Sequence, residues 1–362
     1  MHYIHSLQAW YKKFERPVSS ISLIGGFVFD AIFLKRVDLF WENFWVIVHL
    51  LVVAVCIILI NQKEATEPNN LNRAEWEFWL TNIMQFFFGG LLSTFIVFYF
   101  RGATLSVSWP FILILALAFV ANERLKKYFD RLSFQISLLF FSIFLFAIFF
   151  VPLFTHSIGP MIFLLSGVSS LFVLWLFLLI LKRFGPEKFL LGRRSILTFS
   201  MLIFISINIL YFTNLIPPLP LSLKEAGVYH SVGRDASGNY VVSHEDYGWS
   251  GFFSLYPNLH ITPDQLVYAY SAIFSPASFS TGITHEWQHL DSRTNNWVTE
   301  GEVDLKVLGG RDGGYRTYST RESLAEGHWR VNVLTPSHQV LGRLRFNVVY
   351  TNTEPILFVE TK

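Results

Sequence analysis

Five consecutive residues, His285-Glu286-Trp287-Gln288-His289, have the spacing H-E-x-x-H. On a helix that spacing sets two imidazoles one turn apart around a zinc ion, and the glutamate activates a water molecule. The flanking residues decide whether a helix is there. Ser278–Thr284 before the motif and Asp291–Asn296 after it continue no 3.6-residue apolar period. On a strand, residues four apart point the same way but stand roughly 13 Å apart, whereas a zinc ion needs both nitrogens at about 2 Å. A strand also sends Ile283, His285, Trp287 and His289 to one face and Glu286 and Gln288 to the other. The strand reading is preferred, with a zinc-dependent hydrolase through His285, Glu286 and His289 as an alternative. Histidines 230, 244, 260, 285, 289, 328 and 338 leave incidental metal binding open.

The second chemical signal is Gly309-Gly310-Arg311-Asp312-Gly313-Gly314-Tyr315-Arg316-Thr317-Tyr318-Ser319. Its glycines permit tight or left-handed backbone. Arg311, Arg316, Tyr315 and Tyr318 suit an anion- or sugar-binding surface. The same residues also suit a glycine-bent hairpin whose arginines pair with Asp304, Asp312 or Glu322. In Gly327–Val333, the residues Trp329, Val331 and Val333 share one face and read as core. His328, Arg330 and Asn332 face the other way, and Arg330 joins the ligand- or partner-binding candidates.

Further towards the N-terminus, only Asp30 and His49 stand clearly inside apolar stretches. Such groups mark relays or ligand sites in membrane proteins. Asp30 alternatively pairs with Lys35 or Arg36 near the end of its segment, and His49 alternatively is a hydrogen-bonded interior histidine.

The elements that position these residues fall into two halves. Apolar stretches near 18–34, 43–60, 78–100, 104–121, 132–154, 160–181 and 195–215 read as seven transmembrane helices. The first is the weakest, being short and containing Gly25, Gly26 and Asp30. Trp10, Trp41, Trp45, Trp76, Trp79 and Trp109 fall near span ends, where an indole sits well among headgroups. Beyond Pro217-Pro218-Leu219-Pro220 the pattern changes to short alternating runs: Tyr240–Ser243, Leu266–Phe274, Ile283–Leu290, Val303–Val307, His328–Leu334, Val340–Val349 and Ile356–Val359. Turn residues separate them, which predicts an antiparallel, all-β immunoglobulin-like sandwich. The expected domains are therefore a transmembrane helical domain over 1–216 and a β-sandwich domain over 217–362.

Composition agrees. The 362 residues are 52% hydrophobic and only 15% charged, against about 25% charged in soluble domains. Residues 1–216 carry a net +6 and residues 217–362 a net −4. An acidic domain argues against nucleic acid as a partner. One cysteine, Cys56, excludes an intrachain disulfide framework. The first apolar run lacks a small-residue cleavage site, so no cleaved leader is expected. Placing the N-terminus in the cytoplasm puts 14 loop Lys and Arg inside and 3 outside, which favours that orientation. The loops at 122–131 and 182–194 fix the C-terminal side without help from the first segment, and the β domain then lies outside, in a periplasm if there is one.

Several of these motifs resemble an uncharacterised bacterial family, DUF family 2914. The resemblance rests on Pro217–Gly227, on His285 with Trp287, on Gly309–Ser319, on Gly327 with Trp329-Arg330-Val331, and on Gly342-Arg343 with Phe346. Gly25–Asp30 with Leu34, Arg36 and Asp38 fits as well. The resemblance implies a multi-span protein of a Gram-negative inner membrane with a β-rich C-terminal domain, and it implies no activity. It also favours the strand over the zinc motif, because the family pattern there is His-x-Trp.

Together these readings lead to a non-enzymatic membrane protein. Its periplasmic sandwich binds an envelope protein or glycan, the lipid bilayer is the other partner, and no cofactor is called for. A transport or signalling protein centred on Asp30 and His49 is a second reading, and the zinc hydrolase a third. Oligomeric state is not fixed by the sequence.

Overall fold

The computed structural model of the chain describes residues 21–66, 71–124, 128–129, 131–246, 254–277, 279–311, 313–353 and 355–362. Trp10, Ser278 and Asp312, and positions 18–20 of the first apolar stretch, lie outside the described residues. Among those described there are seven helices followed by eleven strands. The fold class is an α-helical membrane-type bundle followed by an all-β, immunoglobulin-like sandwich. The chain divides into two compact units, one of the helices up to Arg101 and from Trp109 to Ile216, the other of Gly102–Ser108 with Pro217–Lys362.

In the helical unit, α1 is Ile21–Phe33, α2 Phe40–Thr66, α3 Leu71–Gly102, α4 Leu105–Arg124, α5 Leu132–Thr155, α6 Pro160–Phe184 and α7 Pro186–Phe212. From α2 onward, all six are long and apolar enough to cross a bilayer. The described part of α1 is not, because 13 residues rise only about 20 Å against roughly 30 Å of hydrocarbon. Seven helices are thus described, six of them long enough to span, and residues 18–20 of the first expected stretch lie outside the described residues. α1 ends against Arg101, whose guanidinium donates to the carbonyls of Ala31 and Lys35, each at 2.8 Å. A cation there satisfies carbonyls that the helix end leaves open.

α5 is the centre of the bundle. Two thirds of its apolar window is buried (67%), and Phe140, Phe144 and Phe149 are enclosed. Around it, α4 and α7 bury only 22% of theirs, and side chains such as Met161, Leu191 and Phe212 stay uncovered. An apolar exterior of this extent is costly in water and suits lipid. Helices bond their backbone groups within the segment, which is the bilayer's main requirement.

In the β unit the strands are β1 Ser222–Tyr229, β2 Ser231–Arg234, β3 Tyr240–Glu245, β4 Asn258–Ile261, β5 Val267–Phe274, β6 Ser280–Asp291, β7 Asn296–Leu308, β8 Tyr315–Arg321, β9 Gly327–Leu334, β10 Val340–Tyr350 and β11 Leu357–Thr361. They form three sheets, in the orders β1-β5-β8, β4-β10-β9-β6-β7 and β11-β3-β2. The pairs are antiparallel except β4 with β10. The main core lies between the first two sheets, where Val267 and Ala269 meet Trp287, Trp329, Val331, Phe346 and Val348. The other side of β5 is also covered: Tyr270 and Ala272 pack with Tyr229, Val232, Tyr240 and Val242 beneath the small third sheet. A strand buried on both faces cannot alternate, which explains the nearly unbroken apolar run of β5.

Candidate functional site

The H-E-x-x-H residues lie on a strand, β6. This removes the zinc geometry, since a strand cannot bring the two imidazoles to one ion. His285 points into the core, fully buried, and both its ring nitrogens are engaged. Nε2 meets the Ser271 hydroxyl and Nδ1 the Ser319 hydroxyl, each at 2.9 Å. The Trp287 indole donates to the same Ser319 oxygen at 3.0 Å. Ser271 and Ser319 belong to β5 and β8, so His285 ties the five-stranded sheet to the facing one. Burial pushes its pKa down to about 4, so the imidazole is neutral. His289 is elsewhere, stacked on Trp329 with ring centroids 4.8 Å apart.

A second buried polar group joins three strands. The Glu245 carboxylate accepts from His230 Nε2 at 3.0 Å, from His260 Nδ1 at 2.6 Å and from the His260 amide at 2.7 Å. Burial alone would raise its pKa, but the bonds from His230 and His260 outweigh burial and hold it below the ordinary value.

The Arg/Tyr candidates are distributed rather than assembled. Arg311 is exposed in the β7–β8 turn, its guanidinium 5.4 Å from the Tyr315 ring. On β8, Ser319 faces the main core, so Arg316 and Tyr318 face the third sheet. There Tyr318 meets Tyr240 and Tyr268, and the Arg316 carbonyl accepts from the Tyr240 hydroxyl at 3.3 Å. Arg330 is on β9, in the five-stranded sheet. The glycines of the run have separate reasons. A Cβ on Gly309 would lie 1.7 Å from the Pro276 carbonyl oxygen, and Gly310 and Gly314 have φ of +94° and +86°, where side chains are strained.

Around Arg330 the outer face of the five-stranded sheet forms a built polar surface. The ladder sets Glu302, Glu286, Asn332 and Arg343 in one row and Thr299, Gln288, Arg330 and Arg345 in the next. Charge therefore runs across the sheet, from acidic on β7 and β6 to basic on β9 and β10. Both Glu286 oxygens are taken by neutral donors: Oε1 by Gln288 (2.8 Å) and Thr299 (2.9 Å), Oε2 by Asn332 (2.8 Å). Arg330 donates through Nε to Gln288 and Arg343 through Nε to Asn332, both at 2.6 Å. Those bonds fix the guanidiniums and neutralise neither. Arg345 sits directly opposite Arg330, a like-charge placement that costs stability. Burial, reinforced by Arg343, lowers the Arg330 pKa to about 10, and burial with Arg345 lowers that of Arg343. Aromatic rings frame the cluster, with Trp297 4.2 Å from the Arg330 guanidinium and Tyr256 on His328 at 4.5 Å. Gln288 and Arg345 are additions to the residues singled out from sequence, where Glu286 figured only in the zinc alternative and Arg343 only in the family resemblance. Their signal is the alternation Arg330-x-Asn332 and Arg343-x-Arg345 on two strands that become neighbours.

Both the His-x-Trp staple and the arginine rows lie within one stretch of chain. Residues 280–348 match the family DUF2914, described as a protein of unknown function. The DUF2914 stretch begins with β6 and ends in β10, a narrower range than the residues that carry the resemblance. No curated protein matches the chain. Among solved structures, an immunoglobulin-like protein from Pseudomonas aeruginosa is 13% identical, covering 36% of this chain and 92% of that one with a TM-score of 0.21. A Listeria innocua β-glucosidase in complex with isofagomine is 12% identical, covering 37% of this chain and 17% of its own, with a TM-score of 0.20. An alkylpurine DNA glycosylase from Pseudomonas fluorescens, bound to DNA containing an abasic site analog, is 9% identical and covers 85% of this chain and 99% of that one, with a TM-score of 0.22.

Asp30 and His49 are brought together. Both are buried in the helical unit and line one cavity of about 400 Å³. Of the ion partners considered for Asp30, Arg36 is engaged elsewhere, its Nη2 2.6 Å from Asp38.

Proposed function

We propose that this protein is a non-enzymatic, multi-pass protein of a bacterial inner membrane whose sandwich domain stands in the periplasm and holds an acidic envelope component. The single observation that supports this most is the cluster of Arg330, Arg343 and Arg345, the first two oriented by the neutral side chains of Gln288 and Asn332 and the third 6.0 Å from the Tyr256 ring, with no ion pair to any of them among the described residues. A protein with no anionic partner gains nothing from like charges set opposite one another. A carboxylate or phosphate, by contrast, meets a guanidinium in a planar, two-bonded geometry. The partner is thus an acidic glycan or an acidic protein surface. Arg311, Tyr315, Arg316 and Tyr318 would lie on other faces and contribute at most a second contact. The basic segments 122–131 and 182–194 support an orientation with the C-terminal domain across the membrane from the cytoplasm.

The test is co-purification of tagged, full-length protein from native membranes, comparing wild type with Arg330→Ala/Arg343→Ala/Arg345→Ala. Loss of an acidic glycan or protein from the variant is the expected result, along with weakening of the wild-type complex as salt rises. An identical set of co-purifying molecules from both proteins would refute the assignment. Protease added to intact spheroplasts should also remove the C-terminal third, and protection of that part would refute the orientation.

A further inference from the structure

The cavity that joins Asp30 and His49 is furnished with acceptors, and among the described residues no Lys or Arg lines it. His49 Nδ1 lies 2.9 Å from the Trp45 carbonyl. A carbonyl can only accept, so Nδ1 carries the proton and Nε2 is left with its lone pair. Asn122 and Gln85 exchange two bonds, each amide nitrogen donating to the other's backbone carbonyl, at 3.1 and 2.9 Å. This leaves Asn122 Oδ1 buried with no hydrogen-bond partner, a costly state for an amide oxygen. Asp30 adds a carboxylate with no ion pair among the described residues. Two basic side chains of the same unit are used elsewhere, Arg36 on Asp38 and Arg101 on the carbonyls of Ala31 and Lys35.

The space itself is maintained at a cost. Gly89 and Gly90 sit in the middle of α3, where glycine destabilises a helix by roughly 1 kcal/mol each. A Cβ on Gly90 would come within 2.8 Å of His49 Nε2, and one on Gly89 within 3.3 Å of Asn122 Nδ2. The walls are aromatic: Trp45 and Phe87 lie against His49 with centroids at 4.5 and 4.7 Å, and Phe27, Phe29 and Phe86 line the same space.

We propose that this cavity is a binding site for a small organic ammonium ion. Asp30 supplies negative charge in a cavity that Glu123 also lines, the Asn122 oxygen and His49 Nε2 accept the ion's N–H groups, and the rings hold its cationic face and its carbon atoms. A divalent metal ion fits less well, because it wants six or more oxygen ligands or several thiolates and imidazoles. The volume is in the range of small-molecule sites. The inference stands apart from the arginine surface and does not depend on it.

The experiment is isothermal titration of full-length protein in lipid nanodiscs with n-butylammonium and tetramethylammonium chloride, and with sodium chloride at the same ionic strength. Saturable binding of at least one ammonium probe, and none of sodium, is expected. Asp30→Asn should weaken it at least tenfold, whereas Asp264→Asn in the β unit should leave it unchanged. Gly90→Ala, which fills the space beside His49, should do the same as Asp30→Asn and serves if Asp30→Asn does not fold as judged by gel filtration. Absence of saturable binding, an equal response to sodium, or folded Asp30→Asn and Gly90→Ala proteins that bind like wild type would each overturn the assignment.

Discussion

Replacing His285 by glutamine should make the β unit less sensitive to acid while weakening it at neutral pH. The folded protein holds this imidazole neutral, with a pKa of about 4, whereas the unfolded chain has an ordinary histidine near 6.5. Below pH 6.5 the unfolded chain takes up a proton that the folded protein refuses until about pH 4. The stability contributed by neutral His285 is therefore complete above 6.5 and is lost as the pH falls from 6.5 through 4. At about 1.4 kcal/mol for each pH unit between the two values, the full loss is about 3 kcal/mol, of which about 2.5 kcal/mol falls between pH 7 and pH 4.5. Glutamine can still donate and accept towards Ser271 and Ser319 but cannot titrate, so His285→Gln should lack this component. It should also start about 1–2 kcal/mol lower at pH 7 through imperfect hydrogen bonding. Pulse proteolysis of the full-length protein in detergent, across a urea series at pH 7 and pH 4.5, reads the stability of the C-terminal region directly. Other carboxylates respond to acid equally in both proteins, so the comparison is the difference between their pH dependences. Equal slopes in wild type and variant would refute the assignment of His285 as a buried neutral tie between sheets.

Two further outcomes follow from the same interior. Glu245→Gln should cost about 2–3 kcal/mol at neutral pH, because the bonds from His230 and His260 lose their charge. The carboxyl pKa is held below its ordinary value, so this contribution is present above about pH 4.5 and fades as the pH falls through the lower folded value. Wild type and variant should therefore draw together in urea titrations as the pH falls below 4.5. In the glycine run, Gly309→Ala forces a methyl into the Pro276 carbonyl and should lower stability by about 3 kcal/mol. Gly313→Ala meets open space and should change it by less than about 0.5 kcal/mol, as thermal unfolding of the two variants would show.

Much of the architecture is legible in the sequence because the bilayer and the pleat impose different periods. The long apolar runs become α2–α7, though α7 starts at Pro186 rather than 195, since hydropathy marks only the lipid-matched part of a helix that begins among Lys188, Arg193 and Arg194. Alternation located β5, β6, β9 and β10 within a few residues and caught only the second half of β7, Val303–Val307 of Asn296–Leu308. It missed β1, where Lys224, Glu225 and Gly227 interrupt the apolar pattern, and it missed β8, whose Tyr-Arg-Thr-Tyr run reads equally as a ligand surface. The candidate site was half visible. Arg330 and Asn332 share a face by parity alone, but Arg343 and Arg345 join them only through the β9–β10 register, which no local pattern specifies. Likewise Asp30 and His49 stand 19 positions apart on different helices, and only tertiary packing makes them neighbours.

The sheet that carries the arginines is not the sheet that carries β1, the strand nearest the last helix in the chain. A molecule gripped at Arg330 and a bilayer gripping α7 would therefore pull on opposite layers of the sandwich. Tension between them would run through the interior, across the Trp287 and Trp329 rings and the His285 hydroxyl bonds, and not along any one hydrogen-bonded ladder. A load applied this way would have to shear two packed layers apart at once, which makes the histidine-to-serine ties a mechanical fastening for whatever the domain holds.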